Sequence, residues 1–269
     1  MSEAVQARNE RAAAVWSSGG AAYDRISHQI AAALEHCVQR LDPRPDERAL
    51  DLATGTGWTS RLLARRGARV TGADIAGGLL DAARNRAAAE QLDIEYRIDD
   101  AERLSFADAS FDIVASTFGV MFASRPEAAA EEIARVCRKG GRLGLLTWTP
   151  DGNVFEMFKV MRPYMPAPPA APPPSPFEWG KPEHIRALFG NAFDLGFEQG
   201  TCVYYDRDGA AAWEAFANGY GPTRALAGSL DESRRAELGR DFMAFHDRFR
   251  SDLGIVVPRT YLLTIGVRR

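Results

Sequence analysis

The sequence predicts an α/β fold in which helices cover both faces of an open, mostly parallel sheet. Two observations carry this reading. Apolar strand-like runs alternate with helical stretches from about residue 46 to residue 149, which is the pattern of a doubly wound sheet. Each run also ends in small or acidic residues: Ala53-Thr54-Gly55-Thr56-Gly57 after Ala49–Leu52, Asp74 after Ala68–Ala73, Asp99-Asp100 after Ile94–Ile98, and Phe118-Gly119 after Ser110–Thr117. Ligands of open parallel sheets lie outside the carboxyl ends of the strands, so these ends are expected to converge on one crevice.

The elements follow in order. Trp16 to Leu41 reads as a helix with Ile26, Ile30, Ala33 and Leu34 on one stripe, ended by Asp42-Pro43-Arg44-Pro45. The glycine turn follows the first strand, and its small residues let backbone N–H groups and a helix N-terminus approach a ligand. Asp74 stands 23 positions after Asp51, where a carboxylate can accept both hydroxyls of a ribose. Ser124 to Lys139 is predicted helical: Ser124 and Glu127 form a capping box, Ile133, Val136 and Cys137 face the core, and Gly140 stops the helix.

After Pro150 the pattern changes. The proline-rich run 165–176 cannot be helix interior or central strand. It reads either as a stiff spacer or as a strap over the site, with Phe155, Met157, Phe158, Met161, Phe177 and Trp179 packing inward. Helices are expected over Gly209–Asn218, Thr223–Gly228 and Asp231–Arg250, the last presenting Leu238, Phe242, Phe245 and Phe249 to the core, and Arg259–Val267 reads as a final strand. At 269 residues the chain predicts one domain, with an N-terminal helical segment (1–45), a core (46–150), an inserted segment (151–252) and a closing strand (257–269).

A net charge of −3 gives no general reason to hold a polyanion, and no basic stretch interleaved with aromatics appears, so no nucleic-acid partner is expected. The start lacks an apolar signal region and no run reaches the ~18 residues of a membrane span, which predicts a cytoplasmic protein without a membrane partner. The three cysteines, Cys37, Cys137 and Cys202, lie far apart without metal-ligand spacing. His28 and His36 share a helix face but stand roughly 12 Å apart, too far for one metal. No metal is expected.

These motifs resemble the class I S-adenosylmethionine (SAM) dependent methyltransferases, in the small-molecule branch that includes the ubiquinone and menaquinone biosynthesis enzymes. The matches are Asp51 to Gly57, Asp74, the loop Asp100-Ala101-Glu102-Arg103-Leu104-Ser105-Phe106, and Arg138-Lys139-Gly140-Gly141-Arg142-Leu143, and the resemblance covers roughly residues 12 to 150. It implies a Rossmann-like sheet of seven strands, completed at one edge by Gly200–Tyr205 and the final strand, with the helical, proline-rich insertion as a lid over the substrate. It implies SAM as cofactor, bound by Asp51, Ala53, Gly55, Gly57, Asp74, Ile75, Asp100, Ala101, Thr117 and Tyr23. Within that set, Asp51 organises the glycine turn on the methionine side and Asp100 takes the adenine amine. The Ala101 N–H meets the ring, and Tyr23 lies over the cofactor carboxylate. Many relatives carry glycine where this chain has Ala53, which fits if φ stays negative there.

The expected reaction is methyl transfer to a small, partly apolar metabolite by in-line displacement, for which a dedicated base is optional. Tyr220, His246 and Tyr23 are the candidates for a catalytic role, against readings of all three as structural. A nicotinamide-dependent oxidoreductase is the rival on the same architecture, but Ser60 stands where its third glycine would be. A non-catalytic SAM-binding protein is a further reading. A base methyltransferase is disfavoured because Ser116-Thr117-Phe118-Gly119 replaces the polar-Pro-Pro-aromatic motif expected there. No feature sets the oligomeric state, and a homodimer is left open.

Overall fold

A computed structural model describes residues 4–167 and 174–269. Three helices lead the chain: α1 (Glu10–Ser17), α2 (Tyr23–His28) and α3 (Ala31–Leu41). The single helix expected over Trp16–Leu41 is thus broken. Gly20 takes φ +47° between α1 and α2, and Gly19 lies so close to the later helix Gly209–Gly219 that a Cβ there would sit 2.5 Å from the Gly219 carbonyl oxygen. Asp42 closes α3 in the left-handed region at φ +46°.

The alternating core follows as β1 (Arg48–Leu52), α4 (Trp58–Ala64), β2 (Arg69–Asp74), α5 (Gly77–Ala89), β3 (Ile94–Ile98), β4 (Phe111–Thr117), α6 (Pro126–Val136) and β5 (Cys137–Trp148). The remainder is α7 (Asn153–Met161), α8 (Pro182–Phe189), β6 (Phe193–Asp206), α9 (Gly209–Gly219), α10 (Gly221–Ser229), α11 (Glu232–Asp247), the two-residue β7 (Arg250–Ser251) and β8 (Gly254–Arg268). The sheet runs β3-β2-β1-β4-β5-β8-β6, with β7 turning back on β8. The first five strands are parallel, and β8 is antiparallel to both β5 and β6. The order reverses at β1, between β2 and β4, which is the switch point where such sheets open a crevice.

Two expected features change. Ser124 does not cap α6: its hydroxyl goes to Glu102 Oε1 (2.6 Å) and Asn9 Oδ1 (3.0 Å), and Glu102 Oε1 also accepts from the Ser124 and Arg125 N–H groups. A carboxylate from a distant loop thus fixes the two residues that lead into α6, and Pro126 takes the first helical position. The helix then stops at Val136, because Cys137 is already extended and pairs with Phe111 as the start of β5; Gly140 (φ +72°) falls inside that strand, where the register shifts.

β6 and β8 are longer than their sequence runs suggested. Glycine interrupts the strand pattern at Gly196, Gly200 and Gly254, yet Gly200 has a packing reason: a Cβ there would run into the Tyr261 ring. The insertion is tied to the sheet, with Thr147 Oγ1 donating to the Trp179 carbonyl (2.8 Å) and Asn153 Nδ2 to the Pro258 carbonyl (2.8 Å). Phe155 and Phe158 pack on Phe177 at 4.8 and 5.3 Å between centroids, joining the two flanks of the proline-rich run. The middle of that run, 168–173, lies outside the described residues. No helix among the described residues is long and apolar enough to cross a membrane.

Candidate functional site

The crevice opens where the ends of β1 and β4 meet. Ala53 and Phe118, the first residues past those strands, have φ +55° and +56°. The expectation of negative φ at Ala53 is therefore corrected. Thr54 N must reach the Ala73 carbonyl (3.0 Å) on β2, and Thr54 Oγ1 must reach Asp51 (2.5 Å), so the chain turns through the left-handed region although alanine pays about 1–2 kcal/mol for it. The loops pack so closely that a Cβ on Gly119 would lie 2.5 Å from that of Ala53.

Asp51 lies beneath this turn, fully buried and not on the crevice wall. Its Oδ2 accepts from the hydroxyls of Thr54 (2.5 Å) and Ser60 (2.6 Å), while Oδ1 has no hydrogen-bond partner among the described residues. Burial outweighs these bonds and pushes its carboxyl up to about 6. Gly57 also faces away. It takes φ +76° as the residue before α4, and a Cβ there would fall on the Tyr96 hydroxyl and 3.1 Å from the Ala83 Cβ. The need for glycine at 57 is set by packing under the turn.

Gly55, Asp74 and Ile75 do line the crevice. Asp74 ends β2 with Oδ2 accepting from Gly55 N and Oδ1 from Ala76 N, both at 2.9 Å. Burial raises its carboxyl above the ordinary range in spite of these donors. It joins the glycine turn to the start of α5 while facing the crevice.

At the end of β3, Asp99, Asp100 and Ala101 line the next part of the wall. Asp99 is tied into its own loop through Ser105 Oγ (2.5 Å). Asp100 is more engaged than its sequence suggested. It accepts from Asn9 Nδ2 (2.9 Å), Gln6 N (3.0 Å) and Glu102 N (3.0 Å). The N-terminal segment is thus clamped onto the loop, and Asn9, Ala12 and Trp16 become crevice residues that sequence reasoning missed. Asn9 carries no local signal, because its role depends on a partner 91 positions away.

Thr117 lines the floor and pairs with Thr59 (2.7 Å). Phe118 stacks on Trp148 at 3.8 Å. An aromatic group borders the crevice through Trp16, Tyr23 and Phe122: Trp16 meets Phe122 (5.1 Å), Tyr23 (6.1 Å) and, behind the wall, Tyr220 (5.5 Å). Tyr23 faces the crevice and Tyr220 stacks on it at 6.1 Å. Burial raises both phenols above their ordinary value, helped at Tyr23 by the Asp74 charge, so both are neutral donors at pH 7.

His246 lies apart from the crevice, fully buried among Tyr204, Phe216, Phe242 and Phe245. Its Nδ1 is 2.9 Å from the Phe242 carbonyl and burial pushes it down to about 4. It does not face Tyr23 or Asp74 and is placed as a core histidine.

The crevice is therefore lined by a carboxylate at the end of β2, by the strand-end turns at Gly55, Ile75 and Ala101, and by the apolar Leu52, Leu79 and Val120. A nucleoside with a polar tail fits this chemistry. Residues 50–145 match the family model described as "Methyltransferase domain". The uncharacterized protein Rv1403c of Mycobacterium tuberculosis is 36% identical over 242 residues, covering 85% of this chain and 87% of its own. A demethylmenaquinone methyltransferase of Clavibacter sepedonicus is 35% identical over 135 residues, covering 48% of this chain and 55% of its own. The fold is similar to that of the YcgJ protein of Bacillus subtilis, with a TM-score of 0.60 at 19% identity over 88% of this chain and 97% of that one. The motifs at the strand ends, the sheet order and these likenesses agree: the chain belongs to the class I SAM-dependent methyltransferases.

Proposed function

We propose that the chain transfers a methyl group from SAM to a small, partly apolar acceptor held on the aromatic side of the crevice. The observation that carries this reading is that one crevice joins a polar stretch, Asp74 and the Asp99–Ala101 loop, to an aromatic one, Trp16, Tyr23 and Phe122, with Tyr220 packed behind Trp16 and Tyr23. SAM supplies a methyl carbon on a positive sulfur, which a nucleophile displaces in line. Asp74 holds the ribose hydroxyls. Ala101 N–H and the Asp100 carboxylate face the adenine, the latter sharing its lone pairs with Asn9. Gly55 and Ile75 let the backbone approach, and Thr117 forms the floor. Asp51 and Gly57 shape the turn from beneath.

Water exclusion and alignment fall to the aromatic group. Tyr23 and Tyr220, both neutral, can donate a hydrogen bond and are poor bases, and His246 is out of reach. The acceptor must then arrive nucleophilic or lose its proton to bulk solvent. The demethylmenaquinone methyltransferase matches only about half of this chain, so it supports methyl transfer more than any particular acceptor.

The test is incubation of the purified protein with SAM and a metabolite pool, followed by a mass-spectrometric search for products heavier by CH₂ and for S-adenosylhomocysteine. Enzyme-dependent appearance of both is expected. Uptake of NADH in preference to SAM in equilibrium dialysis would sink the reading.

A further inference from the structure

β8 outruns β5 at the ligand end of the sheet. Trp148, the last residue of β5, pairs with Tyr261, and Arg259 lies two residues beyond it, opposite Cys202 of β6. The Arg259 side chain is buried, the residue being 4% exposed, yet among the described residues no carboxylate pairs with it. Among the same residues its Nη2 has no hydrogen-bond partner. The guanidinium lies over the Tyr204 ring at 4.3 Å and 5.6 Å from the Phe216 centroid.

A guanidinium stays charged at neutral pH, and here burial pushes it down only to about 10. Ring faces offset part of the loss of water, but a buried charge is ordinarily paired and hydrogen-bonded. A second unpaired polar atom belongs to the same group of rings. With Nδ1 donating to the Phe242 carbonyl, His246 Nε2 is left as a buried acceptor without a partner, its ring 6.0 Å from both Tyr204 and Phe216.

The same rings lead to the crevice. Phe216 is 5.5 Å from Tyr220, and Tyr220 stacks on Tyr23, which faces the cofactor side. An acceptor placed against Tyr220 would have its reacting atom toward Tyr23 and its far end toward Arg259.

We propose that Arg259 is the anion-recognising residue of the acceptor site, pairing with a carboxylate on an acceptor whose apolar body lies against Tyr204, Phe216 and Tyr220. This rests on the methyl-transfer reading for the direction in which the acceptor points, but the anion site itself is testable without turnover. Arg259 would position the acceptor and set its charge preference, taking no part in bond making.

The probes are benzoate, neutral benzamide and phenyl phosphate, titrated calorimetrically into the S-adenosylhomocysteine-loaded protein. Benzoate is expected to bind at least tenfold more tightly than benzamide, and Arg259→Met to abolish that preference. Because the substitution removes an unpaired buried charge and keeps the volume, the ligand-free variant should keep or raise its urea midpoint. Equal affinity for benzoate and benzamide, binding of neither, preference for phenyl phosphate, or a lowered midpoint in Arg259→Met would each overturn the proposal. The wild-type comparison stands even if the variant cannot be purified. Binding of S-adenosylhomocysteine reports on the crevice alone, so its absence would count against methyl transfer and leave the benzoate result to judge Arg259.

Discussion

Replacing Asp51 with asparagine should change how stability depends on pH. The carboxyl is completely buried and held at about 6, against 3.8 for the free side chain, with desolvation as the largest cause. At about 1.4 kcal/mol per pH unit, that separation amounts to about 3 kcal/mol. The sign follows from the raised value: the folded protein holds this proton more firmly than the unfolded chain. Its stabilising contribution is complete below pH 3.8 and is lost as pH rises through 6. Asparagine does not titrate. The stability of Asp51→Asn relative to wild type should therefore climb by about 2–3 kcal/mol between pH 4 and 7 and then level off. A constant offset from the altered bonds to Thr54 and Ser60 leaves this slope unchanged. Urea unfolding followed by tryptophan fluorescence at a series of pH values measures it. A difference that is flat across the range, or that falls with pH, would refute the assignment of Asp51 as a buried, reluctantly ionised acid.

Ala53→Gly should raise the unfolding free energy by about 0.5–1 kcal/mol, seen as a higher urea midpoint with unchanged slope, because relief of about 1–2 kcal/mol of left-handed strain exceeds the added freedom of the unfolded chain; a lower midpoint would contradict the strain. Asp74→Ala should weaken SAM binding by about 1–3 kcal/mol, the loss expected for a charged hydrogen-bond acceptor, and calorimetry showing unchanged affinity would remove it from the site. Gly57→Ala should destabilise by about 1–3 kcal/mol through strain at φ +76° and the collision with Tyr96. Tyr96→Phe should recover part of that cost, with a coupling of at least about 0.5 kcal/mol in a double-mutant cycle; strict additivity would mean that the two do not meet.

What the sequence made legible was chemistry repeated at strand ends. Asp74, Asp100, Gly55 and Thr117 each follow an apolar run, and parallel register carries all of them to one edge of the sheet. What stayed hidden depends on long-range contacts. The φ of Ala53 is dictated by the neighbouring β2 and β4 loops, and no local propensity reports it. Asn9 joins the site through Asp100 and Ser124, and Glu102 from another loop takes up Ser124 and the chain leading into α6. Arg259 reads as an ordinary strand residue until the fold leaves it without a carboxylate.

The strain around the switch point explains why an acid is retained at Asp51 despite its cost. Ala53 and Phe118 stand in left-handed conformations on the two loops that open the crevice, and such conformations persist only where surrounding structure over-determines them. Phe118 is held by its N–H on the Leu146 carbonyl (2.8 Å) and by stacking on Trp148. Ala53 has no side chain to hold, so its neighbours must do the holding. Asp51 Oδ2 receives both Thr54, on the far side of the strained residue, and Ser60, in α4, and those two hydroxyls lie 2.8 Å apart. One oxygen thus ties the end of β1, the turn and the following helix together. A neutral amide oxygen could accept the same two bonds but more weakly, since bonds to an ionised acceptor are roughly twice as strong. The unfavourable carboxylate is consistent with a turn that must hold Gly55 against Asp74 before a cofactor arrives, and its cost falls on global stability instead of on the geometry of the crevice.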